Sequence, residues 1–264
     1  MLEFIILWIP NSTCQGCHDS SKKYNPVTSL TYQKQSNLPQ SITYGTGEVW
    51  GHPSDETICL DYRDRSKCLF ERDFLLVFQA DNLTGLQSDG VLGLSPRKDY
   101  GSDKDNFVES LMEQGLIKQK IFSINIANSD EEPKIIFGGY DMKYAKFKAQ
   151  MTWHKITEML YWTLNLEKAQ FGSTDIQTFS RNAIIDSGSS YILVPQKDFE
   201  QIRKIISTDL KCGYDTGRTN LYACTCWTTS YSDFPSLKVT LDNTQYEIPS
   251  TSYMQKNGFT FQSC

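Results

Sequence analysis

The sequence predicts an all-β protein with a few short helices, folded as two β lobes. Many short apolar runs are separated by turn residues, which is typical of a protein built from strands. Of the 264 residues, 39% are hydrophobic and 12% aromatic, which fits a folded β-rich chain. A chain of this length can hold two hydrophobic cores. We place the lobe boundary so that residues 1–154 form an N-terminal lobe and residues 155–264 a C-terminal lobe.

Local patterns predict the individual elements. Residues 41–49, Ser-Ile-Thr-Tyr-Gly-Thr-Gly-Glu-Val, indicate a hairpin whose glycines form the turn. Apolar positions on one face predict a helix over 106–114 that ends at Gly115. A second amphipathic helix follows Pro195, with Phe199, Ile202, Ile205 and Ile206 on its apolar side. Further strands are expected at 121–127, 134–138, 161–171, 183–186, 191–195 and 237–246.

The candidate site begins at Asp186, which lies on a glycine turn directly after the apolar run Ala183-Ile184-Ile185. The hydroxyl groups of Ser187, Ser189 and Ser190 can hydrogen-bond the carboxylate and its neighbouring backbone, while Gly188 allows close approach of another segment. Such a turn holds an acid in a fixed orientation. Turns rich in Asp, Gly and Ser are also ordinary connections between strands, so this motif alone does not define a function.

Other motifs follow in a characteristic order along the chain. Leu7-Trp8-Ile9-Pro10 precedes a cysteine pair and the 41–49 hairpin; next come Ser-Asp-Gly-Val-Leu-Gly-Leu at 88–94, Ile-Ile-Phe-Gly-Gly-Tyr-Asp at 135–141 and Tyr-Trp-Thr-Leu at 161–164. In order and spacing these motifs resemble the landmarks of the pepsin-like aspartic proteases. The resemblance covers nearly the whole chain and implies the bilobal acid protease fold.

The resemblance implies a role for each candidate residue. In that family two aspartates share a proton and activate one water, and Asp186 matches the second of them. Tyr44 matches the flap tyrosine that closes over substrate together with Gly45 and Thr46. Trp8 would support Tyr44 by a hydrogen bond, and Ser187 would lock the two catalytic turns together. Substrate would bind along Gly188, Ser189 and Ser190, with Tyr161 lining the cleft.

Several of these residues can also be interpreted as structural rather than functional. Tyr44 also suits a surface aromatic that packs across strands, and Trp8 suits a core tryptophan. Asp89-Gly90 is a structural landmark rather than a site. Tyr161 either lines the cleft or packs against its neighbours.

The sequence departs from the family pattern at both ends. The family would place Asp-Thr-Gly-Ser-Ser-Asn at positions 1–6, where this chain has Met-Leu-Glu-Phe-Ile-Ile, and Glu3 is a poor substitute without a glycine turn. The strands that usually close the second lobe are also expected beyond Cys264. We therefore expect an aspartic endopeptidase sequence truncated at both ends and inactive as written. The alternative is a non-catalytic, peptide-binding relative. A Ser-His-Asp hydrolase is disfavoured because 188–190 does not satisfy G-x-S-x-G.

Eight cysteines in clusters indicate an oxidising compartment. We expect the disulfides Cys14–Cys17, Cys59–Cys68, Cys212–Cys224 and Cys226–Cys264. Two glycosylation sequons, at 11–13 and 82–84, agree with a secretory route. Within that route the sequence predicts a secreted or a lysosomal or vacuolar protein.

Cofactor sites are disfavoured. Cys14-Gln15-Gly16-Cys17-His18 has the spacing of a c-type haem attachment, but the chain is large and β-patterned, and the βαβ context of a thioredoxin-like pair is absent. A zinc site at Cys212, Cys224 and Cys226 is disfavoured because zinc knuckles prefer wider ligand pairs. We expect neither metal nor cofactor.

Charge narrows the choice of partners. The net charge of −5 offers no basic stripe for nucleic acid or anionic lipid. No apolar stretch is long enough to span a bilayer. The expected partner is a peptide or unfolded protein substrate, bound by a monomer.

Overall fold

The fold is described from a computed structural model. The structure describes residues 6–44, 47–83, 86, 88–96, 106–126, 132–145, 150–189, 191–206, 211–214, 222–225 and 234–254. The chain divides into two compact units, Met1–Met151 and Thr152–Cys264. Its described residues are mostly strands with short helices, so the all-β prediction is confirmed.

The first unit contains a mixed sheet and a small hairpin. The sheet has the strand order β1-β5-β4-β2, with β3 also paired to β4, and a separate β6–β7 hairpin follows. The bounds of these strands are β1 Trp8–Gln15, β2 Gln33–Lys34, β3 Gln40–Thr43, β4 Glu48–Cys59, β5 Cys68–Asp81, β6 Phe122–Asn125 and β7 Lys134–Phe137. Strands β4 and β5 form a long antiparallel hairpin, and β1 adds to β5 in parallel.

The core of this sheet forms around Trp8. The Trp8 side chain is only 3% exposed and packs with Val49, Leu75 and Val77, which are also buried. Trp8 exchanges two backbone hydrogen bonds with Val91, of 3.0 and 3.1 Å. The preceding Gly90 has φ +141°, and a Cβ there would overlap the Trp8 carbonyl oxygen. Glycine is therefore required where this segment approaches β1.

The second unit is built on another antiparallel sheet. Its strand order is β10-β8-β13-β14, with β9 also paired to β8, and β11 and β12 form a separate hairpin. The bounds are β8 Thr163–Phe171, β9 Thr174–Ile176, β10 Asn182–Ile184, β11 Lys211–Tyr214, β12 Tyr222–Thr225, β13 Leu237–Leu241 and β14 Thr244–Ile248. Ala169, Phe171, Ile176 and Leu237 form its buried core.

Three α-helices are described, and two were predicted. Helix α1 spans Phe107–Glu113; the Asn106 side chain caps it by accepting a 3.0 Å hydrogen bond from the Glu109 N–H. Helix α2 spans Gln196–Ile206 and packs Ile202, Ile205 and Ile206 against the second core, as its apolar periodicity predicted. The short helix α3, Ser250–Tyr253, has no such pattern and was not predicted.

Two strand predictions were wrong. Residues 191–195 contain no strand, although their composition favours one, because they lead directly into α2. Residues 237–246 are not one strand: β13 ends at Leu241 and β14 begins at Thr244, with Asp242 and Asn243 at φ +44° and +65° between them. Asn and Asp tolerate the left-handed conformation that such a tight hairpin turn requires.

The disulfide predictions for the first unit are confirmed. Cys14 pairs with Cys17, and Cys59 pairs with Cys68 where they face each other at the end of the β4–β5 hairpin. Cys212 is disulfide-bonded, and the backbone register places it opposite Cys224. Cys226 and Cys264 lie outside the described residues.

Candidate functional site

The Asp186 turn is positioned by the edge of the second sheet. Strand β10 pairs antiparallel with β8, placing Ile184 opposite Thr163. The Ile185 N–H then donates a 3.0 Å hydrogen bond to the Trp162 carbonyl oxygen. The strand therefore fixes the backbone up to the residue before Asp186.

The turn fixes both carboxylate oxygens of Asp186. Its Oδ1 accepts a 2.9 Å hydrogen bond from the Gly188 N–H, and its Oδ2 accepts one of 2.9 Å from the Ser189 hydroxyl. Asp186 is half-buried. Two bonds to two different oxygens define the plane of the carboxylate, while partial exposure leaves it within reach of water. The hydrogen bond expected from the Ser189 hydroxyl is present, whereas the catalytic role of Asp186 stays a prediction.

The other residues predicted for this site lie in the turn, before β8 or outside the described residues. Ser187 and Gly188 are exposed, and Ser190 is outside the described part. Tyr161 is half-buried, and its carbonyl oxygen accepts a 2.8 Å bond from the Thr163 N–H in the bend before β8. Their roles in substrate binding and support remain predictions.

The surroundings of Asp186 carry exposed apolar side chains. Ile184 and Ile185, just before the acid, are 45% and 46% exposed. Leu193, on the segment that leads into α2, is 81% exposed. This turn is therefore held by hydrogen bonds and strand pairing rather than by a closed core.

Tyr44 lies in the first unit, at the end of β3. Its hydroxyl accepts a 2.5 Å hydrogen bond from the Trp8 indole N–H, and its ring packs against the core cluster around Trp8. Burial raises the pKa of the Tyr44 hydroxyl to about 12, and the Trp8 bond opposes this rise only in part. The hydrogen bond implied by the resemblance is thus present, in a partly buried setting.

The hairpin that carries Tyr44 closes tightly. The Tyr44 N–H donates a 2.7 Å bond to the Gly47 carbonyl oxygen, and β3 pairs with β4 up to Thr43 opposite Glu48. A Cβ at Gly47 would overlap the Asp81 carbonyl oxygen, so glycine is needed there. Gly45 and Thr46, predicted to contact substrate, lie outside the described residues.

A buried acid that the sequence did not reveal lies near the first-unit core. Glu56 is 8% exposed and accepts hydrogen bonds from the hydroxyls of Tyr24, Ser29 and Thr31. Burial alone would raise the pKa of Glu56, but these hydrogen bonds outweigh it and hold the pKa below its usual range. Glu56 joins the 24–32 segment to β4. No local pattern distinguishes it from an exposed strand glutamate.

A histidine cluster in the second unit was also missed. His154 Nδ1 lies 3.2 Å from Asp242 Oδ2, and His154 Nε2 lies 2.6 Å from the Tyr246 hydroxyl. These bonds attach the start of the second unit to the β13–β14 hairpin, at its turn and at β14. Residues 88 and 92 positions apart meet here, so only the tertiary fold could have revealed the contact.

A second Asp-Ser/Thr-Gly tripeptide, Asp-Thr-Gly at 215–217, lies between β11 and β12 in the sequence, is absent from the sequence predictions and falls outside the described residues. Within the described part of the chain, no group of three or more His, Cys, Asp or Glu side chains could hold a metal ion. No helix among the described residues has the length and apolar character to cross a membrane.

Comparisons with known proteins place the chain in a family. The family model for eukaryotic aspartyl protease matches residues 6–264. Pepsin II-2/3 of Oryctolagus cuniculus is 27% identical over 255 residues, covering 95% of this chain and 62% of that protein. Pregnancy-associated glycoprotein of Equus caballus is 27% identical, covering 97% and 64%, and pepsin A of Bos taurus is 25% identical, covering 96% and 65%. The chain thus spans less than two thirds of the length of these relatives. It belongs to the eukaryotic aspartyl protease family.

Proposed function

We propose that this chain is part of an aspartic endopeptidase and that Asp186 is one of its two catalytic acids. The observation that carries the proposal is the fixed carboxylate of Asp186, bonded at both oxygens by Gly188 and Ser189 and half-exposed at the end of β10. Membership of the aspartyl protease family supports this role.

The chemistry requires a second acid beside Asp186. Two carboxylates about 3 Å apart cannot both be ionised, so one is protonated and the other charged at acidic pH. The charged carboxylate takes a proton from water as the water oxygen attacks the peptide carbonyl carbon, and the protonated one donates to the carbonyl oxygen. The resulting diol collapses when the C–N bond breaks and the nitrogen takes up a proton. No metal or cofactor takes part.

We propose that the partner acid lies outside residues 1–264 and belongs to the lobe that carries Tyr44. Within this chain, the two lobes would cover residues 1–154 and 155–264. On this proposal, residues 1–264 alone are inactive because one carboxylate cannot both take and supply a proton. Loss of one member of a catalytic unit costs about 10⁴-fold or more.

The mode of substrate binding that we propose comes from the resemblance to the family. An extended peptide would bond its backbone to the Tyr44 hairpin, including Gly45 and Thr46, and to the Gly188, Ser189 and Ser190 segment. Such recognition favours unfolded proteins over folded ones. Tyr161 would contact a substrate side chain, and Trp8 and Ser187 would support the site. We propose a monomer acting in the secretory route, outside the cell or in a lysosome or vacuole, which agrees with the first-unit disulfides.

Cleavage of a denatured protein at acidic pH tests the proposal. Residues 1–264 would be compared with the same chain extended by its upstream coding sequence, each with and without pepstatin, a statine-type transition-state mimic. We expect pepstatin-sensitive cleavage only from the extended protein. If the extended protein binds peptide but does not cleave it, the chain belongs to a non-catalytic relative instead. Robust pepstatin-sensitive cleavage by residues 1–264 alone would refute the need for an acid outside this chain.

A further inference from the structure

The β4–β5 hairpin ends in a projecting segment, Leu60 to Lys67, which we name the β4–β5 tip. It is closed at its base by the Cys59–Cys68 disulfide. The Leu60 N–H donates a 2.9 Å bond to the Lys67 carbonyl oxygen just beyond that disulfide. The tip belongs to the first unit, whereas the Asp186 turn belongs to the second.

The base of the tip is fixed to the rest of the first unit. The side chain of Gln114, at the end of α1, accepts a 2.9 Å bond from the Phe70 N–H and donates one of 3.1 Å to the Phe70 carbonyl oxygen. These two bonds replace strand pairing where Glu71, at φ +49°, interrupts the ladder. The tip therefore extends from a fixed base.

Hydrogen bonds within the tip fix its internal shape. Asp61 Oδ1 accepts a 3.0 Å bond from the Arg63 N–H, and Asp64 Oδ1 accepts bonds from the Ser66 N–H and hydroxyl, of 3.0 and 2.6 Å. Lys67 Nζ lies 3.4 Å from Asp61 Oδ2 and 3.5 Å from Asp64 Oδ2. Both carboxylates of the tip are thus occupied by the tip itself.

The two guanidinium groups of the tip face solvent. Arg63 and Arg65 are exposed, and neither contacts a carboxylate among the residues that the structure describes. Arg63 Nε donates a 2.6 Å bond to the Tyr62 hydroxyl, and its guanidinium lies 4.9 Å from the Tyr62 ring centre. Tyr62 itself is 82% exposed. The tip displays an exposed aromatic ring beside two cationic groups whose neighbouring acids are already paired with Lys67.

We propose that the β4–β5 tip is a docking surface for a carboxylate-rich segment of a partner protein. Guanidinium groups bind carboxylates through paired N–H donors, and arginine and tyrosine are among the residues enriched in the energetically dominant positions of protein interfaces. Because hydrogen bonds within the tip already fix its backbone, binding would order only its side chains.

Fluorescence anisotropy with the full chain tests this surface. The probe is a fluorescein-labelled peptide of alternating glutamate and leucine, and the reference probe has glutamine in place of glutamate. We expect the glutamate peptide to bind and the glutamine peptide not to bind. The double variant Arg63→Ala/Arg65→Ala should weaken binding about tenfold or more, and Tyr62→Ala by several-fold.

A matched control separates docking at the tip from general attraction. Lys22→Ala/Lys23→Ala removes the same charge from the same unit and should leave the affinity within about twofold, because exposed charges at a distance are screened by salt. Arg63→Lys/Arg65→Lys should recover only part of the affinity, since lysine lacks the paired donors. Circular dichroism of every variant checks the fold.

Three results would overturn the proposal. One is equal weakening by the lysine and arginine pairs, which indicates non-specific attraction. Another is no measurable binding of the glutamate peptide at any concentration reached. The third is binding of phosphatidylserine vesicles or single-stranded DNA that depends on Arg63 and Arg65 while peptide binding does not, which assigns the surface to a different class of partner.

Discussion

The two candidate site regions are held in place in different ways. Trp8 in the first unit is 3% exposed and Tyr44 bonds to it from the rim of a hydrophobic core. Asp186 in the second unit is half-buried on a turn held by Gly188 and Ser189, beside apolar residues that are about half-exposed. One region depends on packing and the other on short-range hydrogen bonds.

The difference predicts separate consequences for stability and chemistry. Buried apolar area contributes most of the free energy of folding, so substitutions around Trp8 should change the free energy of unfolding strongly. Exposed hydrogen bonds contribute little to that free energy, yet they set the orientation of a reacting group. Substitutions around Asp186 should therefore change activity while the fold persists.

The largest stability effect is expected for Trp8→Ala. Removing this buried indole should lower the free energy of unfolding of the first unit by about 3–5 kcal/mol. The matched control is Tyr62→Ala, because Tyr62 is an 82% exposed aromatic residue of the same unit and its loss should cost less than about 1 kcal/mol. Urea unfolding followed by circular dichroism measures both. Equal losses from the two variants would show that the core around Trp8 does not stabilise the first unit.

Glu56→Gln should have the next largest effect, about 2–4 kcal/mol at neutral pH, because three hydroxyl donors lose a buried charged acceptor. The folded-state pKa of Glu56 is lowered, so its contribution is present above the unfolded-state pKa and is lost as the pH falls through the folded-state value. The variant should consequently lose less stability between neutral and acidic pH than the wild type.

The control for Glu56 is Glu132→Gln, an exposed glutamate of the same unit. It should leave both the stability and its dependence on acid within about 0.5 kcal/mol of the wild type. If the two glutamine variants lose stability in parallel on acidification, Glu56 does not anchor the 24–32 segment.

Tyr44→Phe should cost about 0.5–1.5 kcal/mol, because the Trp8 indole N–H loses its acceptor. The raised Tyr44 pKa, about 12, means that this residue stabilises the fold below the unfolded-state value and that the contribution is lost as the pH rises towards 12. The Tyr44→Phe variant should therefore lack this part of the stability loss at alkaline pH. Tyr191→Phe, which changes a 48% exposed ring, serves as the control and should show the same alkaline loss of stability as the wild type.

Ser189→Ala should have the smallest effect on stability, less than about 1 kcal/mol, since the bond to Asp186 is exposed. In an active, extended protein the same change should lower turnover by about tenfold or more, because the carboxylate loses one of its two fixed bonds. Ser252→Ala, an exposed serine of α3, should change neither quantity. Similar turnover for both variants would remove Ser189 from the support of Asp186.

Much of the fold and of the Asp186 turn could be predicted because the signals are local. Neighbours in sequence form the hairpin that carries Tyr44 and the two first-unit disulfides. The apolar faces of α1 and α2 are also patterns within one short segment. The bond from Ser189 to Asp186 spans three residues.

The remaining contacts depend on segments that meet only in the folded chain. Glu56 and His154 bind residues about 25 to 90 positions away, so no window of sequence contains the pattern. The 191–195 run has a strand-like composition, yet the start of α2 decides its conformation. Exposure of Ile184 and Ile185 was equally hidden, because apolar composition does not tell whether a partner covers a side chain.

The most direct test of the central claim measures turnover of a denatured protein at acidic pH by the extended protein carrying either Asp186→Asn or Asp215→Asn. Both residues belong to an Asp-Ser/Thr-Gly tripeptide, so the second variant controls for the motif itself. If Asp186 is a catalytic acid, the first variant should lose activity by about 10⁴-fold or more, while the second stays within about twofold of the wild type. Retained turnover in Asp186→Asn, or its loss only in Asp215→Asn, would contradict the assignment.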